Sequence, residues 1–282
     1  QYIYEAETGA RYQRNQADAD WIPLDGFRRQ VITSRDDLPE PTNGLHVLES
    51  NTVYQFQDFV TSPYGLDISN GPVLIGRHAS LDGFIHTGGN TAIVGTDGQF
   101  MMDSLYVHAP AGTLFDLSAT QTTEMLVTDC AFSNAAGVEN GNIASLGSIT
   151  GFRVPTFKGC NFEDFDSGLR FAGNSDKIFI WGSPLRKITA SDVTIFTLDA
   201  DATIQIVDFA DNYVKDVQPD TEVWRIEPGG QPSEVFQYRG TVHDTSVNVD
   251  NILTGDGDST TEPYWVGDSH PLRESNVVGE QS

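Results

Sequence analysis

Asp103-Ser104-Leu105-Tyr106-Val107, Thr128-Asp129-Cys130-Ala131-Phe132 and Lys158-Gly159-Cys160-Asn161-Phe162 share one pattern: a polar pair, an apolar residue, a variable residue and a second apolar residue. The copies are spaced by 25 residues and then by 30. Two of them lead into a small-residue turn and another short alternating run: Ala111-Gly112-Thr113-Leu114-Phe115-Asp116-Leu117 after the first, and Ser167-Gly168-Leu169-Arg170-Phe171 after the third. Each unit therefore reads strand, turn, strand.

The same grammar extends to both sides. Val73-Leu74-Ile75-Gly76 and Ala92-Ile93-Val94-Gly95 precede the repeat, and Thr203-Ile204-Gln205-Ile206-Val207, Glu222-Val223-Trp224-Arg225-Ile226 and Ser246-Val247-Asn248-Val249-Asp250 follow it. All are short, rich in β-branched or aromatic residues, and alternating. No stretch sustains helical periodicity, and Gly, Asn and Asp punctuate the chain throughout. A repeat of roughly 20 to 30 residues with this character predicts an all-β right-handed parallel β-helix, each coil stacked about 4.8 Å from the last. A β-sandwich or jelly roll is the alternative, since its strands also recur at short intervals.

Stacked coils place matching positions in line. Leu105, Cys130 and Cys160 should then form one inward-facing ladder with the two sulfurs as neighbours. Both side chains would leave parallel strands in the same direction, which strains a disulfide dihedral, so two reduced, buried thiols are expected. Replacing either with Ser should leave a hydroxyl unpaired in the core, at about 1 to 3 kcal/mol.

Stacked coils also expose an edge at each end, and the flanks read as covers for them. Residues 1–42 form an N-terminal anchor or cap, with Tyr2, Tyr4, Tyr12 and Trp21 among charges and a Pro-rich break at Asp36-Asp37-Leu38-Pro39-Glu40-Pro41. The coils are assigned to 43–254. Residues 255–282, with Gly255-Asp256-Gly257-Asp258-Ser259 and Pro263-Tyr264-Trp265, form a C-terminal cap or tail.

Charge narrows the function classes. The 282 residues include 16 Lys and Arg against 40 Asp and Glu, a formal net charge of −24. Nucleic acid is excluded as a partner, because a polyanion must be neutralised by clustered cations. No apolar run is long enough to span a bilayer, so membrane insertion is not expected, and the polar start does not read as a signal peptide. Lysine occurs at four positions only: Lys158, Lys177, Lys187 and Lys215. That bias fits a high-salt habitat, where a dense carboxylate surface keeps a protein hydrated and screening relieves self-repulsion; an ordinary acidic extracellular protein is the alternative. Two cysteines without close Cys or His neighbours exclude a zinc site, and no cofactor is expected.

The run from Asn43 to Ser118 resembles a known family. Gly44-Leu45-His46-Val47-Leu48, Gly71-Pro72-Val73-Leu74-Ile75-Gly76, Ala92-Ile93-Val94-Gly95, Leu105-Tyr106-Val107 and Leu114-Phe115-Asp116-Leu117 look like the β-helical virion proteins of tailed viruses: tail fibres, tailspikes and receptor-binding appendages. Pectate-lyase-like enzymes share the same grammar. With the acidic bias, the resemblance implies a virus of halophilic archaea. It further implies a homotrimer on the virion, in contact with other virion proteins and with a host cell-surface receptor or glycan.

A tailspike or polysaccharide lyase works with carboxylates a few ångströms apart, or with carboxylate-bound Ca²⁺ and an Arg or Lys base. The candidates are Glu163, Asp164 and Asp166 with Arg170, beside Asp129 on the preceding coil; a solvated acidic face is the competing reading. Asp256 and Asp258 are candidate Ca²⁺ ligands, against a plain polar turn. His46, His78, His86, His108, His243 and His270 lack the spacing of a metal or triad site and are expected at the surface or hydrogen-bonded. Tyr54, Phe56, Phe59 and Tyr64 read as core or as a glycan or subunit contact. Two functions follow: a non-enzymatic virion component that self-assembles and touches the host, or a β-helical glycan-degrading enzyme.

Overall fold

The computed structural model describes residues 2–4, 11–14, 21–23, 28–120, 123–133, 141–230, 235–248, 251–254 and 264–267. Nearly all of the described strands belong to three parallel sheets, of ten, eight and nine strands, here called faces A, B and C. One coil shows the plan: Phe100–Asp103 lies on face A, Tyr106–His108 on face B and Thr113–Ser118 on face C. The next coil lays Glu124–Thr128, Ala131–Phe132 and Ser145–Thr150 beside them in the same order. Along the coils a strand thus pairs in parallel with the strand three further along the chain, which defines a parallel β-helix and excludes the sandwich and jelly roll.

The three pentapeptides are one corner in successive coils. Asp103, Thr128 and Lys158 are in register on face A, and Val107, Phe132 and Phe162 on face B. Between the two faces the chain bends at a single residue in the left-handed region: Ser104 (φ 55°), Asp129 (50°), Gly159 (66°), Gly182 (58°), Asp211 (55°) and Gly240 (60°). Only Gly, or a short polar residue, occupies that region at low cost, which is why the pattern carries Ser, Asp or Gly there. The bend keeps the ladder intact, since the Asp129 N–H donates to the Lys158 carbonyl (2.9 Å) and the Gly159 N–H to that of Trp181 (2.8 Å).

Cys130 and Cys160 follow this bend, one coil apart, unbridged and buried. The ladder continues into polar residues, Ser183 and Asn212, in the same register. These satisfy one another: Ser183 Oγ accepts the Cys160 N–H (3.2 Å), Asn212 Oδ1 accepts the Ser183 N–H (2.9 Å), and Asn212 Nδ2 donates to the Ile180 carbonyl (2.9 Å). The core beside this corner is an aromatic column. Ring centroids step from Phe115 to Phe132 (5.3 Å), Phe162 (5.2 Å), Phe196 (5.7 Å), Trp224 (4.9 Å) and Phe236 (5.3 Å).

The sheets reach beyond the expected limits of 43–254. Face A begins at Arg28–Ile32 and ends at Tyr264–Gly267. The Pro-rich break lies inside the first coil, where a short 3-10 turn, Arg35–Asp37, stands in for a face B strand and Asp37 Oδ2 accepts the Thr33 N–H (2.8 Å) and the Ser34 N–H (2.9 Å). Tyr2–Tyr4, Arg11–Arg14 and Trp21–Pro23 form a separate antiparallel sheet. The strand expected at 246–250 is absent from its described part. Asp244 Oδ1 accepts the Ser246 N–H (2.9 Å) and turns the chain there.

Candidate functional site

The five residues singled out for carboxylate chemistry fall on different parts of the prism. Asp129 sits exposed at the A–B edge. Glu163 ends the face B strand Asn161–Glu163, where it is 6 % exposed and accepts from Arg186 Nε (2.7 Å), with Lys187 Nζ at 3.5 Å. Asp164 and Asp166 follow on the B–C turn. Burial, and then the Glu163 charge, push the Asp164 carboxyl up, while Lys187 and Arg186 pull it down. Asp166 accepts from Asn142 Nδ2 (2.7 Å). Arg170 lies on face C in Leu169–Ala172 and pairs with Asp199 of the next coil, Nε to Oδ2 at 3.2 Å. The fold brings Glu163, Asp164 and Asp166 together on one turn and places Asp129 and Arg170 elsewhere. Asp256 and Asp258 lie outside the described residues.

Two buried polar groups escaped the sequence reading, Asp82 and Ser62. Asp82 is fully buried at the position of Leu105 one coil later. Burial pushes its carboxyl up, but the Arg77 side chain (Nε to Oδ2 3.0 Å) and backbone N–H (2.6 Å) outweigh that and hold it below its usual range. His46 Nδ1 donates to the Pro39 carbonyl (2.6 Å), which leaves Nε2 to accept from Ser62 Oγ (2.9 Å); Ser62 Oγ in turn accepts the Tyr64 N–H (3.0 Å). This is nucleophile, base and orienter in outline, but Ser62 is fully buried, and the trio staples the first two coils together. A pocket of about 180 Å³ opens beside it, lined by Arg35, Asp36, Glu40, His46 and Tyr64 among others, with none of the five carboxylate-chemistry candidates in its wall.

His108 corrects the expectation for histidines. It is fully buried, and among the described residues neither ring nitrogen completes a hydrogen bond of normal geometry. Burial pushes its pKa down to about 4, with the Ser133 backbone opposing in part. His46 and His86 are buried too but hydrogen-bonded, as expected, His86 through Nε2 to the Asn90 carbonyl (3.0 Å). Of the aromatic group, Tyr54 and Phe56 are core, Phe59 packs edge-on against Tyr106 (5.4 Å), and Tyr64 stays partly exposed against His46. The signal for His46 is visible in retrospect: a lone polar residue inside the apolar run Leu45-His46-Val47-Leu48 must find partners when buried.

Among the described residues no group of three or more His, Cys, Asp or Glu side chains is placed to hold a metal ion, and no helix is long and apolar enough to cross a membrane. No family model, curated protein or solved structure matches the chain.

Proposed function

We propose that this chain is a non-enzymatic structural component of a virion, a fibre, spike or turret element that assembles as a homotrimer and contributes to host attachment. The supporting observation is the use of its charged side chains as ties between coils. Glu163 is held by Arg186 and Lys187 from the following coil, Arg170 by Asp199, and Asp208 by Lys177 and Arg239 from the coils on either side. A carboxylate whose oxygens are already taken up by a guanidinium or ammonium of the next coil is not free to meet a substrate, so these pairs suit a rod better than a cleavage site. The resemblance of the Asn43–Ser118 run to virion appendages points the same way.

The test is incubation with neutral and acidic polysaccharides while new reducing ends and unsaturated uronates are followed. No release above the blank is expected. Release that disappears in Glu163→Gln or Arg170→Ala would overturn the proposal in favour of a glycan-degrading enzyme. An antibody to the purified chain should decorate intact virus particles, and labelling of cells alone would count against the virion assignment.

A further inference from the structure

We infer that the pocket beside His46 holds one neutral sugar ring of a glycan, an inference that rests on the attachment role proposed above and names its ligand. The pocket lies at the B–C edge of the first two coils, between the Arg35–Asp37 turn, the Pro39-Glu40-Pro41 stretch and Tyr64 of the following coil. Its backbone is tied down at each of these places. Asp37 Oδ2 holds the turn through the Thr33 and Ser34 N–H groups, Pro39 and Pro41 restrict the stretch that follows, and His46 Nδ1 holds the Pro39 carbonyl. Ser62 Oγ accepts the Tyr64 N–H, and the Tyr64 ring packs edge-on against the His46 imidazole, 5.7 Å between centroids. A wall that is already ordered loses little affinity to ordering when a ligand enters.

The side chains at the mouth are free by contrast. Among the described residues the Glu40 carboxylate and the Tyr64 hydroxyl have no hydrogen-bond or ion-pair partner, and the Arg35 guanidinium has only Asp36, at 3.6 Å. These groups select the ligand. An anion meets Asp36 and Glu40, and a cation meets Arg35, so a ligand of either sign is opposed by part of the wall. An apolar ligand would strip the same groups of water without replacing its hydrogen bonds. A neutral polyol is opposed by none of them, since each hydroxyl can donate to a carboxylate and accept from a guanidinium or a phenol. Tyr64 is the most exposed of Tyr54, Phe56, Phe59 and Tyr64, and it supplies an aromatic surface for the C–H face of a pyranose. Volume limits the ligand further. About 180 Å³ is less than the roughly 300 to 1,000 Å³ of pockets that enclose a drug-sized molecule, which leaves room for a single ring with the rest of a glycan outside.

Saturation-transfer NMR of the full chain tests this, with the methyl glycosides of glucose, galactose, mannose and N-acetylglucosamine as neutral probes and choline and glucuronate as charged ones. Saturation should reach the ring protons of at least one neutral glycoside, and neither charged probe should match it. With an unchanged β circular dichroism spectrum, Glu40→Ala should weaken that glycoside roughly tenfold, the effect of losing a hydrogen bond to a charged group, and Tyr64→Ala should weaken it several-fold. Glu49→Ala, on the C–A edge, should leave binding unchanged. No transfer to any glycoside, binding that survives both pocket substitutions, or preference for a charged probe overturns the inference. If it fails while the antibody still decorates virus particles, the virion reading stands; glycoside binding by a chain found on no particle keeps the sugar site and removes that reading instead.

Discussion

Cys130 and Cys160 donate from sulfur to backbone carbonyls, Cys130 to Thr128 (3.2 Å) and Cys160 to Val127 (3.4 Å), and burial holds the Cys160 thiol at a pKa of about 12. Neither presents a thiolate to solvent, so an aromatic disulfide reagent should titrate no thiol in the native protein and two in denaturant; fast reaction of either in the native state would refute the inward ladder. Ser at either position costs less than the sequence alone suggests. The carbonyls that receive the thiols can receive a hydroxyl, and Ser183 already fills this place one coil on, so Cys160→Ser should lower stability by about 1 kcal/mol or less in a urea melt. His108 sets a pH dependence. Its folded pKa of about 4 lies below the ordinary 6.5, so the unfolded chain takes up the proton first. Stability is full above pH 6.5 and falls as the pH drops towards 4, by roughly 3 kcal/mol in all, and His108→Leu should flatten that slope. If the variant and the parent follow the same curve, His108 is not the group responsible. The cysteine ladder was legible because equal residues recur at equal places. Ser183 and Asn212 were not, because an inward polar residue breaks the apolar pattern and is recognised only once its partners are seen.

At the scale of the element, the A–B bend does most to define the coil; the repeat marked its place, but each pentapeptide reads as one strand where the chain turns a corner at Ser104, Asp129 or Gly159. Gly159 holds φ 66°, and a methyl at its Cα would run into the Asp129 carboxylate of the coil below. Gly159→Ala should therefore destabilise by about 1 to 3 kcal/mol, and Asp129→Gly in the same chain should restore part of the loss. A full, uncompensated loss in the double variant would place the strain elsewhere. The face B strand of each coil was harder to read. Face B strands such as Ala131–Phe132 are two residues long and carry no period of their own, and turns of variable length separate them from face C. The strand expected at 246–250 failed for a related reason: Val247 and Val249 alternate as in a strand, but the Asp244 side chain captures the local backbone. The candidate carboxylates were legible as acids, but not as members of separate edges, because 40 acids in one chain place several together by sequence alone and only the register assigns each its face.

For the whole molecule, the strongest influence beyond the core is repulsion among charges summing to −24. The Debye length falls from about 30 Å at 0.01 M salt to about 3 Å at 1 M, so the melting midpoint should rise over that range. A midpoint that does not move would remove the physical basis for a high-salt habitat. The proposed function adds a second claim at this scale, assembly as a homotrimer. Mass in solution tests that central claim most directly. Light scattering at molar salt should give about 92 kDa, three times the 30.8 kDa of one chain. A mass of 30.8 kDa at every concentration and salt would contradict it.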